Sequence, residues 1–457
     1  MKIIDFLIDE IIDQYMYADE TTRPWIIGFS GGKDSTVLLQ LVWKALQKVK
    51  QFSGLVKRDI YIVCNDTMVE NPIIAEYVRK VLQKIEEAAR NQDLPIFVKQ
   101  TFPRLEDSYW VNLIGKGYPT PNSNFRWCTE RLKIKPTSRY ITEQLDANAE
   151  AILLLGVRSN ESANRARTIK QHEVKGKRLS KHPNHANAYI YTPIKDLTTE
   201  DVWYIINTMP SPWGSNNQEL FDIYTSASSD DYECPTMVTN KEHKSCGQSR
   251  FGCWVCTVVK EDKSMTALVE NGGTWLKPLL DLRNQISEER SNPAFRQDSR
   301  RNGQRAVNED GENNGTYTIE YRASVLERLL MAQKNIQQMK PHFELITNQE
   351  LIAIQIKWAR DLYFDFSVAT IYNKIYNQHF NMENLTNKKQ QERSLLTKVC
   401  NDEPEYIELI ENMLTIQKNK SLMNRKRGLK DDLEDCIESY LKKNQSTVVV
   451  QVETHKP

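Results

Sequence analysis

Between residue 25 and about residue 210, short apolar runs alternate with longer stretches whose apolar residues recur every three or four positions. "WIIGF", "DIYIVC", "PIFVKQTF", "AILLLGV" and "AYIYTPI" are short and rich in β-branched and aromatic side chains, and they read as strands. "STVLLQLVWKALQKV", "IIAEYVRKVLQKIEEAA" and "TTEDVWYIINTM" carry the helical period. This β-α-β-α order predicts an α/β fold, a Rossmann-like parallel sheet with helices on both faces. Ligands of such sheets bind outside the carboxyl ends of the strands, so functional residues are expected just after each run.

The flanking patterns differ. In residues 1–24, "MKIIDFLIDEIIDQYMY" breaks every apolar stretch with acids and reads as an N-terminal amphipathic helix, not a signal peptide. The nucleotide-type domain is expected over 25–210. From 211 to 260 periodicity fades through "SPWGSNN" and "SASSDD", which reads as an irregular Cys-rich insert held by something other than a core. Residues 261–445 are mainly helical in pattern, interrupted by the polar loop "RRNGQRAVNEDGENNG" with its two Asn-Gly turn signals. The tail, 446–457, reads as a lone strand or disorder. No internal repeat is found, and 457 residues suit two or three domains at about 150 each.

Composition narrows the classes. With 61 basic and 60 acidic residues, any nucleic-acid contact must come from local patches. No window approaches 18 uninterrupted apolar residues, so no membrane span is expected and the cytoplasm is the expected compartment. Eight cysteines in such a chain favour metal or redox chemistry over disulfides.

The first strand runs into "FSGGKDST", a glycine loop opening a helix, the arrangement that binds phosphate. The common nucleoside-triphosphate loop is excluded, because Ile27 stands where its first glycine belongs and Asp34 where its magnesium-binding hydroxyl belongs. Ser30, Gly31, Gly32, Lys33, Asp34 and Ser35 instead resemble the signature of ATP pyrophosphatases, which cut ATP between the α and β phosphates. After the second run, Asn65, Asp66 and Thr67 suit a ribose, a base or a metal, or form a simple Asx turn. After "LLLGV", Arg158, Glu161 and Arg165 fall on one side of a helical start, as a clamp for phosphate and metal or as a surface ion-pair ladder.

Cysteines carry the remaining chemistry. Cys234, Cys246, Cys253 and Cys256 crowd into 23 residues and read as a Cys₄ metal site, for structural zinc or an iron–sulfur cluster. A redox pair at Cys253 and Cys256 is a third reading. Cys128 lies among Arg126, Arg131 and Lys133, which is expected to depress its pKa and favour the thiolate. It reads as a sulfur carrier or nucleophile, a buried cysteine, or a cluster ligand in place of Cys234. Cys64, Cys400 and Cys436 read as ordinary core or helix cysteines.

"SGGKDST", "LGVRSNES" with Arg165, and "TPIKDLTTEDVWYII" in that order resemble the PAPS reductase family of the adenine-nucleotide α-hydrolase superfamily. The resemblance implies that Ser30 to Ser35 hold the pyrophosphate end of ATP while Arg158, Glu161 and Arg165 act across the cleft. "CGQSRFGCWVCTVVKEDKSM" followed by "WLKPLLDLRNQISEERSNPAFR" is similar to the DndC proteins, the sulfurtransferase-like components of bacterial DNA phosphorothioation systems. That similarity implies ATP, Mg²⁺ and a [4Fe–4S] cluster as cofactors. It implies DNA, a cysteine desulfurase and other phosphorothioation components as partners, and replacement of a non-bridging phosphate oxygen by sulfur. For DNA docking the basic runs are 165–182, with seven Lys and Arg against one Glu, and "KNKSLMNRKRGLK" near residue 420. A small-molecule sulfonucleotide reductase, a tRNA thiolation enzyme and a non-catalytic zinc-bearing nucleic-acid module are the rival readings. The first of these lacks support from the C-terminus, which has no Glu-Cys-Gly-Leu-His segment.

Overall fold

The computed structural model describes residues 2–17, 23–161, 163–173, 176–227, 252–378, 394–400, 406–421 and, within 433–441, positions 433–434, 436–438 and 440–441. Two compact units divide the chain, Met1–Phe380 and Asn381–Pro457. The second contains the helix Tyr406–Ser421. The tail and the basic run after Ser421 lie outside the described residues.

The first unit is built on a six-stranded sheet of β1 (Trp25–Gly28), β2 (Ile60–Asn65), β3 (Ile96–Thr101), β4 (Ala151–Leu154), β5 (Leu179–Lys181) and β6 (Ala188–Tyr191), in the order β3-β2-β1-β4-β6-β5. All neighbours are parallel except β5 with β6, so the sheet is mixed and mostly parallel. The five expected runs are its five parallel strands. Alternation along β1 sends Trp25 and Ile27 to one face and Ile26 to the other. The first face carries α1 (Lys2–Met16), α2 (Lys33–Ser53), α3 (Pro72–Asn91), α6 (Thr199–Thr208) and α7 (Asn217–Ser226). The second carries α4 (Lys135–Asn148) through Tyr140 and Ile141. This is the expected α/β architecture.

One local expectation is corrected. Residues 217–226, expected to be irregular, form α7, started by the Asn216 side chain accepting from the Gln218 amide and anchored by Leu220, Ile223 and Tyr224. The basic run 165–182, read as a solvated face or a DNA contact, holds most of α5 (Ala163–His172) and all of β5. Its Arg178 is committed to Glu10 and Asp13 of α1.

Beyond the sheet, α8 (Lys263–Glu270), α9 (Lys277–Glu289), α10 (Ile319–Gln337), α11 (Asn348–Arg360) and α12 (Val368–Tyr376) form the helical region. It braces a π-helical turn at Val111–Gly115. Arg322 donates to the Ile114 and Gly115 carbonyls at 2.8 and 2.7 Å, and Trp358 Nε1 donates to Ile114 at 2.8 Å. Such wide turns leave carbonyls that need outside donors. Among the described residues no helix is long and apolar enough to cross a membrane.

Candidate functional site

At the carboxyl end of β1 the chain turns through Ser30-Gly31-Gly32 into α2. Gly31 has φ +74°, and a Cβ there would lie 2.3 Å from Val78 Cγ2, so only glycine permits the turn. Serines lock the loop: the Ser30 amide donates to Ser35 Oγ at 3.2 Å, and Ser35 Oγ donates to the Gly32 carbonyl at 3.0 Å. The Lys33 amide donates to the Tyr224 hydroxyl of α7 at 3.2 Å, and the Lys33 ammonium lies 4.9 Å from the centre of that ring. Thus one amide at the start of α2 already has an oxygen partner.

Asp34 lies between two cations. Its carboxylate receives Arg158 Nε at 2.6 Å and has Lys33 Nζ at 3.9 Å. Arg158 is 1% exposed, and its Nη1 also donates to Thr199 Oγ1 at 3.2 Å and the Leu197 carbonyl at 3.4 Å. It therefore stands behind Asp34 and positions that carboxylate, where the sequence suggested an open phosphate clamp. Glu161 ends the short turn Ser159–Glu161, and Arg165 lies in α5, with its side chain outside the described residues. Gly156, inside the "LGVR" motif but without an assigned role there, lets β4 pass against the loop. A Cβ would meet the Asp34 carbonyl at 3.0 Å and the Ser35 amide at 3.1 Å.

After β2, Asp66 and Thr67 part company. Asp66 lines the cavity, with its carboxylate accepting from the Met68 amide at 2.7 Å. Thr67 is fully buried, donates to Glu70 at 2.9 Å and lies 3.3 Å from Cys253 Sγ, so it belongs to the thiol region. The Cys253 segment is laid against Thr67–Asn71 by backbone bonds: Trp254 to Val69 at 3.0 Å, and Asn71 to Gly252 at 3.3 Å. A tight turn follows, the Cys256 amide donating to the Cys253 carbonyl at 3.0 Å. Desolvation, aided by the Glu70 carboxylate, pushes the Cys253 thiol up to about 12. Lys133 is held above the usual lysine value by Cys253 first, with Glu70, Cys128 and Cys256 adding to it.

Cys128 shares this electrostatic environment, since Cys256 and Lys133 both act on it. The expectation that it is a favoured thiolate is corrected. Desolvation raises its pKa, Cys256 adds to that, and only Lys133 among the neighbouring cations opposes it. Arg131 is directed away, to Asn112, Asp107 and Tyr118. Cys234 and Cys246 lie outside the described residues. Among the described residues no three His, Cys, Asp or Glu side chains are grouped to hold a metal ion. Cys253 and Cys256 therefore present a pair of soft donors on one turn, and Cys128 lies within electrostatic range of them.

A cavity of about 1500 Å³ reaches from Ser30 to residues beside the thiols. Its walls include Ser30 of the loop, Asn65 and Asp66 after β2, Glu70, Lys133, and Trp254 between the cysteines. This is the carboxyl end of the parallel strands, the expected ligand side.

The family model described as the phosphoadenosine phosphosulfate reductase domain matches residues 24–259, over half the chain. The protein belongs to that family. An uncharacterized protein of Methanocaldococcus jannaschii is 27% identical over 232 residues, which is 50% of this chain and 39% of that protein's length. Solved structures also align. A PAPS reductase from Candida auris in a phosphate complex has 16% identity and a TM-score of 0.30, covering 49% of this chain and 91% of its own. The U34-tRNA thiolase NcsA of Methanococcus maripaludis with its [4Fe–4S] cluster has 12% identity and a TM-score of 0.26, covering 49% and 73%. An FMN adenylyltransferase of Candida glabrata has 12% identity and a TM-score of 0.31, covering 71% and 80%.

Proposed function

We propose that this PAPS reductase-family protein is the DndC-type component of a DNA phosphorothioation system, using ATP to exchange a non-bridging backbone oxygen of DNA for sulfur. The observation that carries the reading is one cavity lined both by Ser30 of the glycine loop and by Glu70, Lys133 and Trp254 beside the thiols.

A phosphodiester oxygen is a poor leaving group. In the proposed reaction that oxygen attacks the α-phosphorus of ATP, a new P–O–P bond forms, the α–β bond breaks and pyrophosphate departs. Sulfur at the oxidation level of sulfide, delivered by a cysteine desulfurase with a thiol reductant, then attacks the backbone phosphorus. The P–S bond forms, the P–O bond breaks, and AMP leaves. Lys33 and the loop amides offer positive charge where pyrophosphate departs, and Arg158 fixes the Asp34 carboxylate. Asp34 and Asp66 offer oxygen donors that fit Mg²⁺, which when bound would neutralise phosphate charge. Cys253 and Cys256 would hold two corners of a [4Fe–4S] cluster, which would supply structural, redox or sulfur-carrying chemistry. Cys128 is the sulfur-handling thiol of this reading.

The test is product analysis with α-labelled ATP, with and without DNA. AMP and pyrophosphate from the native protein, abolished in Asp34→Ala, are the expected products. ADP and orthophosphate would overturn the activation step.

A further inference from the structure

Cations distant in sequence gather beside the Cys128 segment. Lys116 Nζ donates to Asn112 Oδ1 at 3.2 Å and to the Glu106 carbonyl, and Arg131 donates to the same Asn112 oxygen. One neutral amide oxygen thus holds an ammonium and a guanidinium together. Arg301 donates to the Lys116 carbonyl at 3.1 Å, and the Lys357 stem lies over Gly115, where a Cβ would meet its Cγ at 3.6 Å. Arg360 acts on Lys357 as a further cation.

Opposing charge is limited. Asp107 is 3.7 Å from Arg131 and also acts on Lys116, Asp361 takes Arg301 at 2.7 and 2.9 Å, and Asp361 and then Glu106 act on Lys357. Lys116 and Lys357 have no ion-pair partner among the described residues. Desolvation and the neighbouring Arg131, Lys357 and Arg301 push the Lys116 ammonium down to about 8. Like charges held this way are relieved by an incoming anion.

A buried aromatic row braces the patch against the thiol segment, with Trp127 7% and Tyr109 2% exposed. Arg131 lies 4.7 Å from the centre of the Tyr118 ring and donates to its hydroxyl at 3.1 Å. Tyr118 is 6.0 Å from Trp127, Trp127 stacks on Tyr109 at 5.5 Å, and the Tyr109 hydroxyl donates to the Val255 carbonyl at 3.4 Å, between the two cysteines. Phe125, 42% exposed, flanks Tyr118 at 6.5 Å. Dispersed cations at this spacing match an extended polyanion whose phosphates repeat.

We propose that Lys116, Arg131, Lys357 and Arg360 form the docking site for the phosphodiester backbone of substrate DNA. The assignment rests on the DNA-sulfur reading above. The experiment is fluorescence anisotropy of a labelled DNA duplex with the full chain across a salt series, with AMP formation in the absence of DNA measured in parallel.

Lys116→Gln with Lys357→Gln is expected to weaken duplex binding about tenfold and lower the log–log salt slope by about two, one per lost phosphate contact, with DNA-free turnover unchanged. Arg360→Gln, at an exposed position, lowers the slope by about one and carries the test should the double variant fail to fold. Arginine at both lysine positions restores binding. Native protein that binds duplex, with these glutamine variants unchanged, would overturn the docking site and leave the DNA reading standing. Native protein that binds no duplex would overturn both, and preferential displacement of duplex by tRNA would overturn the choice of DNA.

Discussion

Replacing Asp34 with asparagine keeps the shape of the side chain and removes its charge, leaving Arg158 at 1% exposure without its carboxylate. Uncompensated buried charge of this kind costs about 3–5 kcal/mol. Asp34 also sits in the first turn of α2, where a negative charge contributes about 0.3–1 kcal/mol. The reverse change, Arg158→Met, leaves a carboxylate that is 16% exposed, with Lys33 still 3.9 Å away, so it costs less, about 1–3 kcal/mol. If Met1–Phe380 melts cooperatively, about 2.1 cal/mol/K per residue gives an unfolding entropy of roughly 0.8 kcal/mol/K. Asp34→Asn, losing both contributions, should then lower the melting temperature by about 4–8 °C, and Arg158→Met by about 1–4 °C. The double variant should recover part of the Asp34→Asn loss, because no buried charge remains. Circular-dichroism melts of the four proteins are the assay. A larger loss in Arg158→Met than in Asp34→Asn, or a double variant whose losses simply add, would refute the argument that Arg158 is the buried member held by Asp34.

Gly156→Ala should reduce ATP turnover by about a hundredfold with folded protein retained, because the new methyl pushes on the Asp34 carbonyl and Ser35 amide. Steady-state kinetics beside a melt decide it, and native turnover would remove β4 from loop positioning. Tyr224→Phe removes the hydroxyl now held by the Lys33 amide, so pyrophosphate should bind a few-fold tighter by calorimetry. Weaker binding would mean that the hydroxyl serves the ligand. Cys253→Ser should lose iron after anaerobic purification while Cys128→Ser keeps it; iron loss in Cys128→Ser would make that thiol a ligand instead of a sulfur carrier.

Much of the sheet was legible because buried parallel strands must be apolar on both faces, and "WIIGF" and "AILLLGV" satisfy that without help. β5 was not, because "LSK" pairs through its backbone at the sheet edge and carries little side-chain signal. The Ser30–Ser35 loop was visible as local chemistry, whereas the Tyr224 contact spans 191 positions. Cys128 shows how sequence adjacency misleads: Arg131 is three residues away, yet its guanidinium serves Asn112 and Tyr118, and desolvation governs the thiol. Thr67, one residue from Asp66, turns to Cys253 while Asp66 lines the cavity, since successive residues leaving a strand diverge. The cation patch was invisible for a related reason, since Lys116, Arg131, Arg301 and Lys357 are brought together only by the π-helical turn and α11.

The most direct test of the account is a sulfur-incorporation assay with the anaerobically purified protein, ATP, a cysteine desulfurase, [³⁵S]cysteine, a thiol reductant and the other phosphorothioation components, offered duplex DNA and tRNA together. The account predicts label in nuclease-resistant dinucleotides from the DNA, dependent on ATP and matched by AMP and pyrophosphate release. Label confined to tRNA, or label in DNA without α–β cleavage of ATP, would contradict it.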